Sequence, residues 1–462
     1  MKKVDLKEIY SSLSKFANKE ITLGGWVRSV RDMKNFAFMD LNDGTSFKGA
    51  QVVLHLEKIA NYDEVCKMNA GSSVVVKGKV VLTPANPQPF EIEASYVEIQ
   101  CATDETYPLQ KKRHTTEYLR EQAYLRPRTN LFNAVFRIRS EVSFAIHSFF
   151  NGKGFVYTQT PIITAADCEG GSDVFRITTH NVYDKTKVST FTPENDFFGK
   201  PVFLTPTGQL EGEALALAFG KIYTFGPTFR SENSNTARHA SEFWMIEPEV
   251  AFNDLKDNMD LIEEMVKYLI NHLFVKCSDE LEFLNKFVEN GLIEKLKAVV
   301  DSDFGRISYT EAVKILEQNN EKFEFKAFWG CDLQSEHERY LCEKVFNKPI
   351  FVTDYPTEIK AFYMRKNDDG KTVAACDLLV PGVGEMVGGS QREERLDVLL
   401  EKIKTFKLKE EDYWWYINLR KFGGVVHSGF GLGLERFLMY ATGVSNIRDV
   451  QIFSRTPKNC LY

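Results

Sequence analysis

The chain lacks any uninterrupted apolar run of the roughly 18 residues that a membrane-spanning helix needs. Its first residues, MKKVDLKEIY, carry two lysines but no apolar core behind them, so no secretory signal is expected. The eight cysteines form no C-x-x-C pair, which argues against a structural zinc site and a disulfide framework. Internal repeats and low-complexity segments are also absent. These absences predict a soluble protein of a reducing compartment, the cytoplasm.

The composition is that of an ordinary globular protein. The 462 residues are 43% hydrophobic and 26% charged, which excludes disorder, collagen and coiled-coil rods. The length suggests about three folding units. Residues 1–140 carry a net charge of +5 and the remainder −11, within a total of −6. A basic end beside an acidic body is typical of a polyanion-binding module, although chance variation in surface charge is an equal alternative.

Short extended segments dominate from Ile21 to Ile99. Five segments with β-branched or aromatic residues at alternate positions are separated by turn signals, and a short helix is expected around Leu56–Met68. Gly24-Gly25 inside the first segment suggests a sharp bend. This pattern predicts an OB-fold β-barrel over residues 1–102. Residues 103–130 are polar and basic with two prolines, so they are interpreted as a hinge.

Residues 131–462 predict an α+β domain with a large antiparallel sheet flanked by helices. A helix begins near Asn130 with an apolar stripe at three- and four-residue spacing and ends at Asn151-Gly152, before the strand FVYTQTP. Further helices are expected over Met259–Phe274 and Gln391–Lys407. The further predicted strands are PVFLT, KIYTFGPTF, FWMIEPEVAF, PIFVTDYP, KAFYMR and AACDLLVP.

Two apparent nucleotide motifs do not qualify as such. Gly370-Lys371-Thr372 has the end of a P-loop, but Arg365 stands where its first glycine belongs. The glycines of HSGFGLGLER are spaced G-x-G-x-G rather than G-x-G-x-x-G. Neither a P-loop nor a dinucleotide-binding fold is therefore expected.

An arginine and carboxylate pattern is more informative. In TFRSENSNTARHASEFW, strand alternation would put Arg230 and Glu232 on one face, and the chain returns through Glu242 and Phe243 as a hairpin. An arginine there can clamp a phosphate, and the aromatic ring can stack on a base. The alternative is a surface hairpin with solvated charges.

Alternating glycines precede a helical stretch in GFGLGLERFLMYATGV. Glycines at this spacing let a ligand or another chain approach the backbone closely. Arg436 then lies in the first turn of an otherwise apolar helix and needs an anionic partner. The simple alternative is an ion pair with its neighbour Glu435.

These elements resemble the signature motifs of the class II aminoacyl-tRNA synthetases. The helix and strand ending at FVYTQTP resemble motif 1, FRSE…RHxxxF resembles motif 2, and GFGLGLERF resembles motif 3. With an OB-fold in front, the chain resembles the aspartate/asparagine/lysine subclass along its whole length. QSEHERY and GEMVGGSQREERLD are similar to its bacterial asparagine branch.

The resemblance implies that asparagine is activated with ATP and transferred to the 3′ end of tRNA(Asn), in a homodimer formed through motif 1. It also implies Mg²⁺ with the ATP, held by Asp377 and Glu385, whose spacing is one residue longer than in the aspartate branch. Arg230, Glu385 and Arg436 would be catalytic. The residues that it assigns to ATP are Arg230, Glu232, Arg238, His239, Phe243, Glu385, Gly433 and Arg436.

The implied ATP contacts have distinct roles. Arg230 would hold the α-phosphate, and Phe243 and Arg436 would cover the two adenine faces. His239 with Arg238 would reach the γ-phosphate, whereas Glu232 would lie near the adenine or the acceptor end of the tRNA. Since a carboxylate is already ionised at pH 7, positioning and charge neutralisation suffice for its attack on the phosphate.

Substrate choice follows from a substitution within TPTGQLEGEAL. Gly212 stands where the aspartate branch has a lysine, and Glu213 follows it. Losing a cation and gaining an acid disfavours a carboxylate, while Glu213 could accept from a carboxamide NH₂ and Arg392 could donate to its C=O. The implied amino-acid contacts are Glu169, Gln209, Glu213 and Arg392.

The OB-fold is implied to bind the anticodon by stacking and hydrogen bonding. The candidate residues are Arg31, Phe38, Gln51, Glu91 and Glu93; Phe38 could instead be a barrel-core residue. Three other functions stay open: an aspartyl-tRNA synthetase, including one that charges both tRNAs; an asparagine synthetase-like paralogue; and a non-enzymatic tRNA-binding paralogue.

Overall fold

The computed structural model describes residues 3–165, 173–181 and 192–462. The chain forms two compact units, Met1–Ala134 and Val135–Tyr462. Within the described ranges, none of the helices combines the length and the apolarity that crossing a bilayer would take.

The N-terminal unit is built on a closed five-stranded barrel, as the sequence predicts. Around the barrel the strands follow the order β1-β2-β3-β5-β4, with β3 and β5 parallel. The strands are β1 Glu20–Asp32, β2 Phe36–Asn42, β3 Ala50–His55, β4 Ser73–Leu82 and β5 Phe90–Cys101. Its helices are α1 Leu6–Ser11, α2 Leu13–Phe16 and α3 Tyr62–Cys66, the last shorter than the predicted Leu56–Met68.

Strand β1 serves two neighbours in turn. It pairs with β4 from Glu20 to Trp26 and with β2 from Trp26 to Asp32. A Cβ on Gly25 would lie 2.8 Å from the carbonyl oxygen of Asn42, so only glycine lets the two strands approach here. The change of partner therefore falls beside the glycine pair at which the sequence predicts a bend.

Residues 103–130 contain regular structure of their own. Helix α4, Thr116–Glu121, starts at Thr115, whose hydroxyl accepts a hydrogen bond from the Tyr118 N–H. A 3-10 turn covers Arg126–Arg128. Helix α5 follows at Asn130–Gly152 with both predicted ends.

The C-terminal unit is a mixed layer of one large sheet and its helices. The eight-stranded sheet has the order β12-β13-β14-β15-β16-β11-β10-β6, and its pairs are antiparallel except at the two edges. Its strands are β6 Val156–Thr158, β10 Lys221–Phe229, β11 Glu242–Ala251, β12 Gly305–Ser308, β13 Ile350–Pro356, β14 Thr372–Val380, β15 Gly384–Gln391 and β16 His427–Gly433. A small sheet joins β7 Ile163–Thr164, β9 Val202–Leu204 and β8 Arg176–Ile177.

Helices surround this sheet. They are α6 Gln209–Phe219, α7 Leu255–Lys276, α8 Ser278–Phe287, α9 Leu292–Asp301, α10 Tyr309–Glu317, α11 Ser335–Tyr340, α12 Leu396–Thr405, α13 Trp414–Lys421 and α14 Leu434–Thr442. Helix α7 contains the predicted Met259–Phe274 and starts earlier, because Asp254 and Asp257 form a capping box. The antiparallel α+β class is confirmed.

Two sequence-based assignments in this unit are wrong. KAFYMR is not a strand: a 3-10 turn at Thr357–Ile359 precedes it, and one isolated bridge joins Met364 to Arg392. Its aromatic residues pack with α12 and α13, so burial without a sheet produced the strand-like pattern. The helix expected from Gln391 begins only at Leu396, because Gln391 ends strand β15.

Candidate active site

Strand β11 supplies one wall of a deep cleft. Phe243, Met245, Glu247 and Glu249 alternate along it and all line the cleft. Because strand side chains point to alternate faces, this spacing of two places them on one side of the sheet. The cleft continues across β16 and β15, the next two strands of the sheet.

The alternating glycines of β16 make room for the β11 side chains. Gly429 lies opposite Glu249, and a Cβ on Gly429 would stand 2.3 Å from the Cδ of Glu249. A Cβ on Gly431 would stand 2.6 Å from the Cε of Met245. The sequence predicts close approach of a ligand or another chain here, and the protein's own side chains are what come close.

The loop between β10 and β11 borders the cleft. Strand β10 ends at Phe229, opposite Glu242, so Arg230 and Glu232 follow the strand rather than sharing one of its faces as expected. Both nevertheless line the cleft, as do Arg238 and His239. The hairpin itself is as predicted.

Two ring side chains, those of Phe243 and His239, make polar or cationic contacts in this loop region. The Arg230 guanidinium carbon lies 5.5 Å from the centre of the Phe243 ring. The Nδ1 atom of His239 lies 2.8 Å from the hydroxyl oxygens of both Ser234 and Thr236. The first contact is a cation–π interaction, and the second holds the His239 ring by hydrogen bonds to two hydroxyl groups of its own loop.

Arg436, at the start of α14, pairs with Glu385 rather than with its neighbour Glu435. Its Nη1 atom donates to the Oε2 atom and to the carbonyl oxygen of Glu385, each at 3.1 Å. Glu435 instead pairs with Arg139 at 2.8 Å and accepts from the Trp244 N–H. The simple alternative for Arg436 is therefore wrong.

Asp377 on β14 and Glu385 on β15 bring two carboxylates together. The Lys360 Nζ atom lies 2.6 Å from Asp377 Oδ2, while Glu385 Oε2 meets Arg436. The other oxygens, Asp377 Oδ1 and Glu385 Oε1, lie 3.5 and 3.1 Å from the place that a Cβ on Gly388 would take. Glycine thus leaves a cradle into which two carboxylate oxygens point.

The two acids differ in their pKa. Burial, opposed by Lys360, raises the pKa of Asp377. Burial acts on Glu385 as well, but the nearby Arg436 and Lys360 charges outweigh it and lower the pKa of Glu385. Within the described ranges, no three His, Cys, Asp or Glu side chains are grouped as a metal site. The pair could supply only part of a metal's coordination.

Beyond these acids, the cleft is lined by Arg392. This buried guanidinium pairs with Glu249 through Nη2 and through Nε at 3.2 Å, and its Nη1 donates to Ser390 Oγ at 2.8 Å. Gln209, at the start of α6, and Tyr363 line the same space. The expected neighbours Gln209 and Arg392 are therefore brought together.

Glu213 has a different place from the one expected. It is fully buried, and Tyr416, Arg420 and His427 donate to or contact its oxygens at 2.7–2.9 Å. Burial alone would raise the pKa of Glu213, but Arg420 and His427 lower it. Both oxygens of Glu213 are engaged, and Glu213 stands directly behind the cleft, with its Oε1 atom 4.0 Å from Arg392 Nε. A direct contact of Glu213 with a substrate amide stays a prediction.

One expected residue, Glu169, lies outside the described residues. Gln209 both lines the cleft and donates through Nε2 to Glu213 Oε1 at 3.1 Å. It therefore links the cleft to the buried Glu213.

Sequence reasoning missed several cleft residues. They are Glu247, Glu249, Ser335, Glu338 and Lys360. Glu247 and Glu249 could have been found, because they continue the alternation that starts at Phe243. Ser335 and Glu338 lie in the QSEHERY segment, which carries a family resemblance, but the resemblance assigns its residues no role. Lys360 comes from a segment distant in sequence that carries no such signal.

On the barrel, the expected residues Arg31, Phe38, Gln51 and Glu91 form a contiguous cluster. Gln51 donates to Glu91 at 2.8 Å, and the Arg31 guanidinium lies 5.8 Å from the centre of the Phe38 ring. Phe38 is half-buried between two fully buried neighbours of β2, so it faces out of the barrel. The core alternative for Phe38 is wrong.

Glu93 lies two residues beyond Glu91 on β5. It is opposite Val53 of β3 and Lys79 of β4. Alternation places it on the same outward face as Glu91. The barrel thus presents an arginine, an aromatic ring, an amide and two carboxylates on one surface.

Known proteins of one group match both units. Residues 115–457 match the family of class II tRNA synthetases (D, K and N), and residues 21–100 match the OB-fold nucleic acid binding domain. The asparagine–tRNA ligase of Clostridium tetani is 58% identical over 459 residues, 99% of each chain. That of Alkaliphilus metalliredigens is 57% identical over 463 residues, again 99% of each.

A solved structure agrees in fold. Asparaginyl-tRNA synthetase from Pyrococcus horikoshii, complexed with asparaginyl-adenylate, superposes with a TM-score of 0.87 at 30% identity, covering 100% of this chain and 99% of that one. Strands β11 and β16 and residue Arg436 all lie within the segment that the family model matches. The chain is a member of the class II tRNA synthetases (D, K and N) and carries an OB-fold nucleic-acid-binding domain.

Proposed function

We propose that this protein is an asparagine–tRNA ligase of the cytoplasm. It joins asparagine to ATP, forming asparaginyl-adenylate and pyrophosphate, and then transfers the asparaginyl group to the 3′-hydroxyl at the end of tRNA(Asn), releasing AMP. Residues 1–102 bind the anticodon, and residues 131–462 carry out catalysis. Residues 103–130 are the hinge that connects these two domains. The full-length similarity to asparagine–tRNA ligases supports this proposal.

The cleft beside β11 suits ATP. Arg230 neutralises charge on the α-phosphate while the substrate carboxylate attacks phosphorus in line with the departing pyrophosphate. Phe243 stacks on the adenine, and Arg436 covers its other face. Arg238 and His239 line the cleft from the bordering loop, and His239 with Arg238 contacts the γ-phosphate.

Mg²⁺ fits the two carboxylates over Gly388. Carboxylate oxygens are the ligands that this cation prefers, and it commonly uses one or two of them with phosphate oxygens and water. Asp377 and Glu385 would hold it, and when bound it would neutralise phosphate charge. The side chains of Lys360 and Arg436 keep these carboxylates oriented toward Gly388.

A single observation carries the choice of asparagine over aspartate: Arg392 is already paired with Glu249. An aspartate side chain would meet a neutralised cation and the Glu249 carboxylate, whereas a carboxamide can donate to the acid and accept from the arginine. Position 212 lies beside Glu249, because a Cβ on Gly212 would stand 3.6 Å from Glu249 Cγ. Since the residue is glycine, it adds no further cation to this site. Glu249 is therefore a second candidate for the acceptor role expected of Glu213, whose Oε1 atom lies 4.0 Å from Arg392 Nε.

The outward barrel cluster suits the anticodon. Unpaired bases stack on aromatic rings, and amide and carboxylate groups read their edges. Phe38 provides the ring, Gln51 and Glu91 the polar edge contacts, and Arg31 a cation for the phosphate backbone. Glu93 extends this polar surface.

A homodimer through the motif 1 region is part of the proposal. Strand β6 is an edge of the large sheet, and Val156 and Tyr157 on it are each 41% exposed. An edge strand with apolar side chains is a pairing surface. Sedimentation of the active protein should give a dimer, and an active monomer would contradict this part.

The deciding experiment is ATP–pyrophosphate exchange with each amino acid. We expect exchange with asparagine to exceed that with aspartate at least about a hundredfold, because a desolvated carboxylate next to Glu249 is costly. Equal exchange with both would favour an aspartyl-tRNA synthetase of mixed specificity. Asparagine formed from aspartate and ammonia, without tRNA, would favour the synthetase-like paralogue, and no exchange at all would favour a binding protein.

A further inference from the structure

Helix α11, formed by the QSEHERY segment, contacts the cleft from outside the three signature motifs. It is anchored on the preceding segment, because Glu336 accepts from the N–H groups of Glu324 and Phe325 at 3.0 and 2.8 Å. The buried His337 lies 2.7 Å from the carbonyl oxygen of Phe325 and accepts from the Gln334 N–H. The helix is therefore a fixed support rather than a loose surface turn.

One side chain of α11 holds the backbone of Glu385. The Glu338 Oε2 atom accepts a hydrogen bond from the Glu385 N–H at 3.0 Å. Gly384 permits this contact: its φ is +85°, and a Cβ there would stand 2.4 Å from the same oxygen. Since Arg436 binds the carbonyl oxygen of Glu385, both backbone polar groups of Glu385 are held.

A second side chain of α11 reaches the loop between β10 and β11. The Ser335 hydroxyl accepts from Arg238 Nη1 at 2.9 Å. Ser335 and Glu338 line one stretch of the cleft together with Arg238, His239 and Arg436. The helix thus links two cleft elements that are more than a hundred residues apart in sequence.

We propose that Glu338 is a positioning residue for ATP: by holding the Glu385 N–H, it aims the Glu385 carboxylate at the cradle over Gly388, and Ser335 likewise steadies Arg238. This inference rests on the proposed function. Holding a carboxylate in place lowers the ordering cost of binding ATP with Mg²⁺. The asparagine end of the cleft, around Arg392, makes no use of α11.

The test compares three variants of the full chain. Glu338→Ala removes the acceptor, and Glu338→Gln keeps an oxygen that can accept from the Glu385 N–H. Glu343→Ala is the matched control, because Glu343 accepts from Gly382 N–H at 2.8 Å, in the same β14–β15 turn but away from Glu385. Calorimetry with α,β-methylene-ATP and Mg²⁺ measures binding, and pyrophosphate exchange gives KM for ATP and for asparagine.

We expect Glu338→Ala to weaken binding of the analogue and raise KM for ATP about tenfold, with KM for asparagine unchanged. The affinity for the analogue and the KM for ATP should stay within about threefold of the parent values in Glu338→Gln and within about twofold in Glu343→Ala. Unchanged ATP binding in Glu338→Ala would overturn the proposal. So would a similar rise in both KM values, or the same defect in Glu343→Ala.

These outcomes are separable from failure of the proposed function. If the parent protein shows no asparagine-dependent exchange, asparagine activation is wrong, but calorimetry with the ATP analogue still decides whether Glu338 supports nucleotide binding. Ser335→Ala should weaken binding of the analogue about threefold, because the hydrogen bond that Ser335 accepts from Arg238 is lost. Full affinity in Ser335→Ala would remove Ser335 from the proposal.

Discussion

Glu249 and Arg392 form a two-point ion pair at the inner end of the cleft, with both side chains buried. The pair exists because Gly429 leaves space for the Glu249 carboxylate. A buried cation that already has its partner offers little to a second carboxylate. The pair therefore provides the physical basis for preferring a neutral side chain.

Glu249→Gln should reduce this preference. Replacing the carboxylate with a neutral amide removes the charge paired directly with Arg392, which favours the aspartate side chain, and leaves a weaker, uncharged acceptor for the amide NH₂. We expect the ratio of kcat/KM for asparagine over aspartate to fall about tenfold or more. The control is Glu394→Gln, the same acid-to-amide change at a residue that does not line this cleft, and it should leave the ratio unchanged. An unaltered ratio in Glu249→Gln would contradict this explanation of selectivity.

The same preference should depend on pH. Burial, opposed by Arg392, raises the pKa of Glu249 to about 7. As the pH falls below this value, a growing fraction of Glu249 is protonated and Arg392 loses the charge of its directly paired carboxylate. Selectivity for asparagine should therefore be lower at pH 6 than at pH 8, measured by exchange with both amino acids. Selectivity that rises on acidification would refute this assignment.

The buried support of Glu213 should be important for stability. Arg420→Met removes the cation 2.7 Å from Glu213 and leaves a buried carboxylate without its paired guanidinium. We expect the free energy of unfolding at pH 7 to fall by about 3–5 kcal/mol in urea titrations. Arg306→Met breaks a partly exposed pair with Asp260 and should cost less than about 1 kcal/mol.

The pH dependence of this loss has a definite sign. In the parent protein the lowered pKa of Glu213 keeps it ionised, so its stabilisation persists above the ordinary glutamate pKa and is lost only in stronger acid. Without Arg420, burial raises that pKa, and protonation relieves the penalty. The difference between parent and variant should shrink from pH 7 to pH 5; a growing difference would contradict it.

The two units should divide the reaction between them. Arg230→Ala should abolish pyrophosphate exchange, because the cation proposed to neutralise the α-phosphate is lost. Gln51→Ala should leave exchange unchanged and lower kcat/KM for tRNA charging about tenfold, through the loss of one base-edge contact. Exchange lost in Gln51→Ala would contradict this division.

Local patterns predicted the regular framework well. Alternation defined the barrel strands and β10, β11 and β14, and the apolar stripe defined α5, because each element buries one face and repeats with its own period. The same periodicity misled where aromatic residues are buried without a sheet, as in KAFYMR. It also could not separate Gln391, the end of a strand, from the helix that begins at Leu396.

The sequence by itself determined the family, the two kinds of fold and the residues proposed to bind ATP, which line one cleft, because those residues lie in short motifs whose spacing is local. Only the tertiary structure decided which charges meet. Arg436 pairs with Glu385 rather than with the adjacent Glu435. Glu213 pairs with Arg420, and Glu249 pairs with Arg392. Such partners are set by which strands and helices pack together, and a linear spacing carries no information about that.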